Sequence, residues 1–225
     1  MKTINGRSIP TGAAELCMPE CCPVLILIDV QNDFAHPDGL FAKSGVDLEL
    51  IQQTLPAIRS FLCAARASGL PVIHIHQLTL PDGKSDSDAW LHFKTRSGRD
   101  PECCLPNSWG AAPLDGFEPQ HNEIVITKFR PDAFLGTNLQ QVLRATGHQT
   151  TIFAGLFTEG CVESTVRSAS YRDHFVVVAE DAVASAIKAR HDASLDLMRS
   201  RYSLCSSTDI LNFLSPKPSS DKQLS

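Results

Sequence analysis

The sequence predicts an α/β fold, doubly wound in three α/β/α layers around a parallel sheet, and three observations predict it. Pro23-Val24-Leu25-Ile26-Leu27-Ile28-Asp29 is apolar throughout instead of alternating, as expected of a strand covered on both faces by helices. Strand-like runs then alternate with stretches of helical spacing down the chain. Three residues with chemical potential, Asp29, Lys128 and Cys161, fall at or just beyond strand ends, where open α/β sheets gather their sites.

Taken in order, residues 1–19 carry no sustained periodicity and read as an N-terminal arm, with the domain spanning 20–214. After the first strand and a polar loop, Leu48, Ile51, Leu55, Ile58, Phe61, Leu62 and Ala65 recur at helical spacing until Gly69. Pro56 within that run predicts a kink, or a helix starting properly near Thr54. Leu70 to Leu78 reads as the second strand, making a parallel pair with the first. From Thr79 to His121 the pattern weakens into a long segment rich in Pro, Gly, Asp and Ser; such loops are functional covers or hold short helices of their own. Glu123 to Lys128 is the third strand, and Thr137 caps a helix running to Gly147. Thr150 to Ala154 is the fourth strand, followed by a helix from about Gly160 to Arg172. His174 to Ala179 is the fifth, a helix covers about Ala189 to Arg201, and a short strand near Leu204 to Ser206 and a helix near Asp209 to Phe213 close the pattern. Residues 215–225 read as a flexible tail rich in Pro, Ser and Lys.

Composition narrows the function classes. The 225 residues carry a formal charge of −5, with no basic run, which argues against a partner bound by phosphate neutralisation, so no nucleic acid is expected. The N-terminus lacks the apolar core of a signal peptide, and the run Val24 to Ile28 is too short to cross a bilayer, so no membrane association and a cytoplasmic location are expected. In that setting the eight cysteines are expected to stay reduced. Cys21-Cys22 and Cys103-Cys104 are adjacent pairs and lack the spacing of a zinc knuckle.

Thr150 to Thr165 runs from strand through a glycine-containing turn into a helix that opens with Cys161. A cysteine at a helix N-terminus faces unpaired N–H groups and the positive end of the dipole, which lowers its pKa and makes sulfur a nucleophile. A carboxylate such as Asp29 can take the thiol proton, while a lysine such as Lys128 keeps that carboxylate ionised and in place. Taken singly, each has an ordinary alternative: a small buried cysteine, a turn aspartate, a solvated lysine.

The segments Leu27-Ile28-Asp29-Val30-Gln31-Asn32-Asp33-Phe34, Ile126 through Leu139 (ITKFRPDAFLGTNL) and Gly155 through Thr165 (GLFTEGCVEST) together resemble the isochorismatase-like cysteine hydrolases, in order and over about residues 20–212. The resemblance implies a catalytic Asp29-Lys128-Cys161 triad and a six-stranded sheet of order 3-2-1-4-5-6. It also implies an oxyanion hole from the backbone N–H groups of Phe157 and Cys161, with a cis peptide at Leu156-Phe157. The expected reaction is hydrolysis of a C–N bond in a small amide, ureido or carbamoyl compound through a covalent intermediate on sulfur. The segments Lys128-Phe129-Arg130 and Thr158 through Thr165 look closest to family members acting on ureido or carbamoyl compounds. Two alternatives stay open: hydrolysis of the isochorismate vinyl ether, and a non-catalytic binding role.

Further candidates for the substrate site are Phe34, Trp90 and Trp109 as an apolar wall, Gln31 and Asn32 as orienting amides, His76, and Arg130 as a carboxylate ligand or a loop-holding ion pair. Phe157 stands where relatives often have a small residue, which would narrow the pocket. His74 and His76 share a strand face and could chelate, yet the Asp-x-His element of metal-binding relatives is missing, so neither a metal nor another cofactor is expected and nicotinamide drops as a substrate. The family resemblance implies a homodimer or homotetramer; the segment from Thr79 to Trp109, which follows no family pattern, is the expected cover or interface.

Overall fold

The computed structural model describes residues 1–96 and 101–214. Its main sheet has strands β1 (Val24–Ile28), β2 (Val72–Gln77), β3 (Ile124–Lys128), β4 (Thr150–Leu156), β5 (Phe175–Ala184) and β6 (Ser203–Cys205). They lie in the order β3-β2-β1-β4-β5-β6 with every neighbouring pair parallel. The chain therefore winds outward from β1 in one direction and from β4 in the other, as the sequence predicts. The switch point falls between β1 and β4, and in open α/β sheets sites gather at the carboxyl ends of the strands beside such a point.

The unbroken apolar run of β1 is explained by two layers of helices. Leu25 and Leu27 face a core shared with Ile51, Ile58, Phe61, Leu62 and Ala65 of α1 (Glu49–Ala67). Val24, Ile26 and Ile28 face the other core, shared with Leu139 and Leu143 of α3 (Leu139–Thr146) and Val166 and Ala169 of α4 (Glu163–Ser170). Each fully buried side chain of this size contributes about 1.5–3 kcal/mol. The two outer strands are covered by α5 (Lys188–Arg199) and α6 (Ser207–Leu214), which bury Met198 and Ile210.

Several elements differ from expectation, each for a local reason. Helix α1 runs unbroken from Glu49 through Pro56; Pro56 and Gln52 are both exposed, so the carbonyl that proline leaves unpaired faces water. Strand β5 does not stop at Ala179. Its pairing with β4 jumps from Phe153↔Val178 to Gly155↔Val183, and the intervening charges are absorbed: Glu180 pairs with Arg199 at 2.7 Å, and Asp181 accepts Ser207 N–H at 2.6 Å. The long segment after β2 holds α2 (Asp88–Thr95), capped by the Ser87 side chain. In the N-terminal stretch, Lys2–Ile4 and Arg7–Ile9 form an exposed hairpin, whereas Leu16 and Cys17 are buried in the α1-side core. The proposed tail, 215–225, lies outside the described residues.

Candidate active site

Three consecutive features bring the carboxyl edge together. Asp29 follows β1 in a left-handed conformation, φ 55°, and its N–H donates to the Ile75 carbonyl at the end of β2. Gly155 of β4 has φ 117°, and a Cβ there would run into the Ile28 backbone, so only glycine lets β4 approach β1 at this height. Beyond β4, Leu156-Phe157 is a cis peptide, as the resemblance implied, and Gly160 and Val162 both donate their N–H groups to the Phe157 carbonyl, at 3.1 and 3.0 Å. The second of these spans five residues, so Cys161 sits in a π-type turn and α4 proper starts two residues later, at Glu163. Helix α5 braces the turn: His191 Nδ1 lies 2.8 Å from the Thr158 hydroxyl, and Ser194 donates to the Thr158 carbonyl at 3.3 Å.

The result is a contiguous group. Lys128 Nζ is 2.7 Å from Asp29 Oδ2, both side chains fully buried, and donates to Cys161 Sγ at 3.3 Å. Asp29 Oδ2 is ion-paired with Lys128, and Lys128 and Cys161 both bear on the carboxylate and favour its ionised form. Cys161 keeps part of its surface accessible although protein crowds it on nearly every side. Burial raises the Asp29 carboxyl above its ordinary value, with Lys128 pulling the other way. Burial pulls Lys128 down, but Asp29 and Cys161 outweigh it and hold the lysine above its usual range as an ammonium. The Cys161 thiol is pushed up to about 12, first by burial and next by the Asp29 charge, with Lys128 opposing. This differs from the expectation of a lowered cysteine pKa: burial and the carboxylate neighbour push the thiol up, and sulfur rests as a thiol.

A fourth member escaped the sequence reading. Gln77 ends β2 opposite Lys128, and its Oε1 accepts from Lys128 Nζ at 2.9 Å. The signal was its position, since it ends a strand at the same edge as Asp29 and Lys128; an amide beside two histidines drew no attention. Gln31 grips it, accepting Gln77 N–H at 2.8 Å and donating to the Gln77 carbonyl at 3.0 Å and to Ala111 O at 2.8 Å.

The other candidates scatter. Phe34 and Phe157 meet edge-on at 5.4 Å and both pack on Phe41, so these rings form an apolar cluster beside the turn. Asn32 donates to the Trp109 carbonyl at 2.8 Å and so ties the loop after β1 to the long segment that follows β2. Trp109 itself is 51% exposed, its ring against His36, and it forms no buried wall. Trp90, on α2, lies under the Arg130 guanidinium at 4.8 Å. Arg130 holds the loop: it donates to the Ser85 carbonyl at 3.0 Å and pairs at 3.4 Å with Asp86, which also pairs with Lys94 at 2.7 Å. Of its two expected roles, the loop-holding ion pair is the one formed here. His76 alternates with Gln77 along β2 and faces away from Lys128, because successive strand residues point to opposite faces. His74 is paired with Glu123 at 2.8 Å, and no group of three or more metal-ligating side chains occurs among the described residues.

Comparison with known proteins agrees with this fold. The isochorismatase domain family matches residues 23–210. The chain is 32% identical over 189 residues to ureidoacrylate amidohydrolase RutB of Methylobacterium radiotolerans, covering 79% of this chain and 73% of that protein. It is 33% identical over 190 residues to the protein of the same name from Yersinia enterocolitica, covering 80% of each. Among solved structures, an isochorismatase family protein from Desulfovibrio vulgaris superposes with a TM-score of 0.73 at 27% identity, covering 87% of this chain and 99% of that one. N-carbamoylsarcosine amidase from Thermoplasma acidophilum does so with a TM-score of 0.65 at 28% identity, covering 82% and 96%.

Proposed function

The chain belongs to the isochorismatase family, and from that membership we propose that it is an amidohydrolase that uses Cys161 to cleave a non-peptide C–N bond of a small ureido, carbamoyl or amide compound. The observation that carries this reading is the contact of one buried ammonium, Lys128, with both Asp29 and Cys161. The names of the relatives, ureidoacrylate amidohydrolase and N-carbamoylsarcosine amidase, support the ureido and carbamoyl class.

In this mechanism the resting state is Asp29 carboxylate, Lys128 ammonium and Cys161 thiol. As the substrate carbonyl carbon approaches Sγ, the proton passes from sulfur to Asp29 and the S–C bond forms. Burial has made Asp29 a stronger base than an exposed aspartate, while Lys128 stabilises both the carboxylate before transfer and the sulfur during it. The oxyanion is received by the backbone N–H groups of Phe157 and Cys161. Collapse breaks the C–N bond, and Asp29 returns its proton to the leaving nitrogen. Water, deprotonated by Asp29, then hydrolyses the thioester-like intermediate and regenerates the thiol. No step requires a metal or cofactor. Assembly into a homodimer or homotetramer belongs to the proposal, as does a cytoplasmic location, which the eight unpaired cysteines support.

The test is ammonia release over a panel containing 3-ureidoacrylate, N-carbamoylsarcosine, biuret and simple amides, with isochorismate alongside. The proposal expects ammonia from a ureido or carbamoyl compound. Pyruvate release from isochorismate with no ammonia from the panel would replace it with vinyl-ether hydrolysis, and inertness throughout would favour a binding role.

A further inference from the structure

Lys128 has three ammonium protons and three acceptors around it: Asp29 Oδ2 at 2.7 Å, Cys161 Sγ at 3.3 Å and Gln77 Oε1 at 2.9 Å. Two of these take part directly in the proposed reaction. The third has no proton to exchange, and among the described residues its oxygen reaches nothing else. We infer that Gln77, its backbone held by Gln31 and its amide by the Leu78 carbonyl, is a positioning residue that fixes the Lys128 ammonium between Asp29 and Cys161; this rests on the nucleophilic role proposed for Cys161.

The amide orientation is not free to reverse. Gln77 Nε2 donates to the Leu78 carbonyl at 2.8 Å, and a flip would turn that NH2 group against an ammonium. The Gln77 backbone is fixed on both sides by one side chain, since Gln31 receives its N–H and donates to its carbonyl. Gln31 is fully buried and spends its other amide proton on the Ala111 carbonyl, while its backbone forms a bridge to Pro113. The 111–113 stretch is thereby joined through Gln31 and Gln77 to Lys128, and a shift of that stretch on substrate entry would be felt at the ammonium. No other charged or titratable group meets Lys128 Nζ among the described residues: burial pulls the lysine down, Asp29 and Cys161 hold it up, and Gln77 Oε1 occupies its remaining proton. A hydrogen bond to a charged group contributes about 1.5–3 kcal/mol, so its loss is expected to lower kcat on the order of 10- to 100-fold.

The experiment compares Gln77→Met, which keeps size without the acceptor, with Gln77→Glu, which keeps the acceptor and adds charge, using 3-ureidoacrylate over pH. The inference expects Gln77→Met to lower kcat with KM nearly unchanged and to move the high-pH limb of kcat/KM down, because the ammonium loses a partner. Gln77→Glu moves the same limb up, because a negative charge favours the ammonium. Opposite shifts are what a merely structural role would not produce. Iodoacetamide alkylation of Cys161, read on its own peptide across pH, requires no substrate; there Gln77→Glu moves the midpoint up. Unchanged limbs and an unchanged midpoint in folded variants overturn the inference. If they occur while Cys161→Ala is inactive, Gln77 alone has been misread; an active Cys161→Ala instead removes the nucleophile on which the inference stands.

Discussion

Asp29 adopts a left-handed backbone at the end of β1, and aspartate is one of the few non-glycine residues that does so readily. That conformation turns its carboxylate under Lys128 and into the path of the Cys161 proton. Replacing it with asparagine keeps the shape, removes the base and leaves the ammonium without its counterion, so kcat should fall on the order of a thousandfold or more while circular dichroism stays unchanged. Because burial raises the Asp29 carboxyl, the low-pH limb of kcat/KM should lie above the ordinary carboxylate value of about 4: the base must be ionised, and activity grows as pH climbs through its raised pKa. A limb at the ordinary value would argue that another group is the base. Gly155 carries a separate prediction. Alanine there would need a φ of 117° and would strike the Ile28 backbone, so Gly155→Ala should cost at least about 1–3 kcal/mol from backbone strain alone, measured by denaturant unfolding.

At the scale of elements, the site hangs on strand ends and on the helices that hold them. Helix α1 buries Ile51, Ile58, Phe61, Leu62 and Ala65 against the strands, and Leu62→Ala should cost about 2–5 kcal/mol in urea unfolding while leaving KM unchanged, since α1 contributes no residue to the site. The cover behaves differently. Asp86, almost fully buried, neutralises both Lys94 and Arg130, so Asp86→Asn leaves two cations facing each other; the expected readout is faster proteolytic cleavage within 79–95 and a raised KM, with the global unfolding midpoint little changed. These elements also explain what could be read from sequence. The apolar run of β1 and the helical spacing of α1 reflect burial, which leaves a pattern in residue type, and Asp29, Lys128 and Cys161 stood out because each ends or follows such a run. Gln77 did not stand out, because its role comes from the β2–β3 register and not from its chemistry. Arg130 was legible as a cation but not as the partner of Asp86, since that pairing depends on how α2 folds back over β3.

For the whole molecule, the far end of the sheet sets the response to acid. Burial would raise the Glu123 carboxyl, but hydrogen bonds from Arg66, the Gln120 N–H and His74 hold it down at about 2. Burial lowers both His74 and His76, the latter to about 4. All three have folded pKa values below their unfolded ones, so each stabilises the fold at neutral pH and that stability is lost on acidification: first from the histidines as pH falls below about 6.5, then from Glu123 below about 4.3. Thermal midpoints should therefore decline from pH 7 toward pH 4, and less steeply in His76→Leu; a flat profile would count against the buried neutral histidines. The mechanistic claim at this scale is that one sulfur does the covalent chemistry. It is tested most directly by ammonia release from 3-ureidoacrylate by Cys161→Ala beside the unaltered protein, with folding checked by circular dichroism. Turnover by the unaltered protein and a loss on the order of a thousandfold or more in the folded variant are expected. Ammonia release by Cys161→Ala within a few-fold of the unaltered protein would contradict the claim.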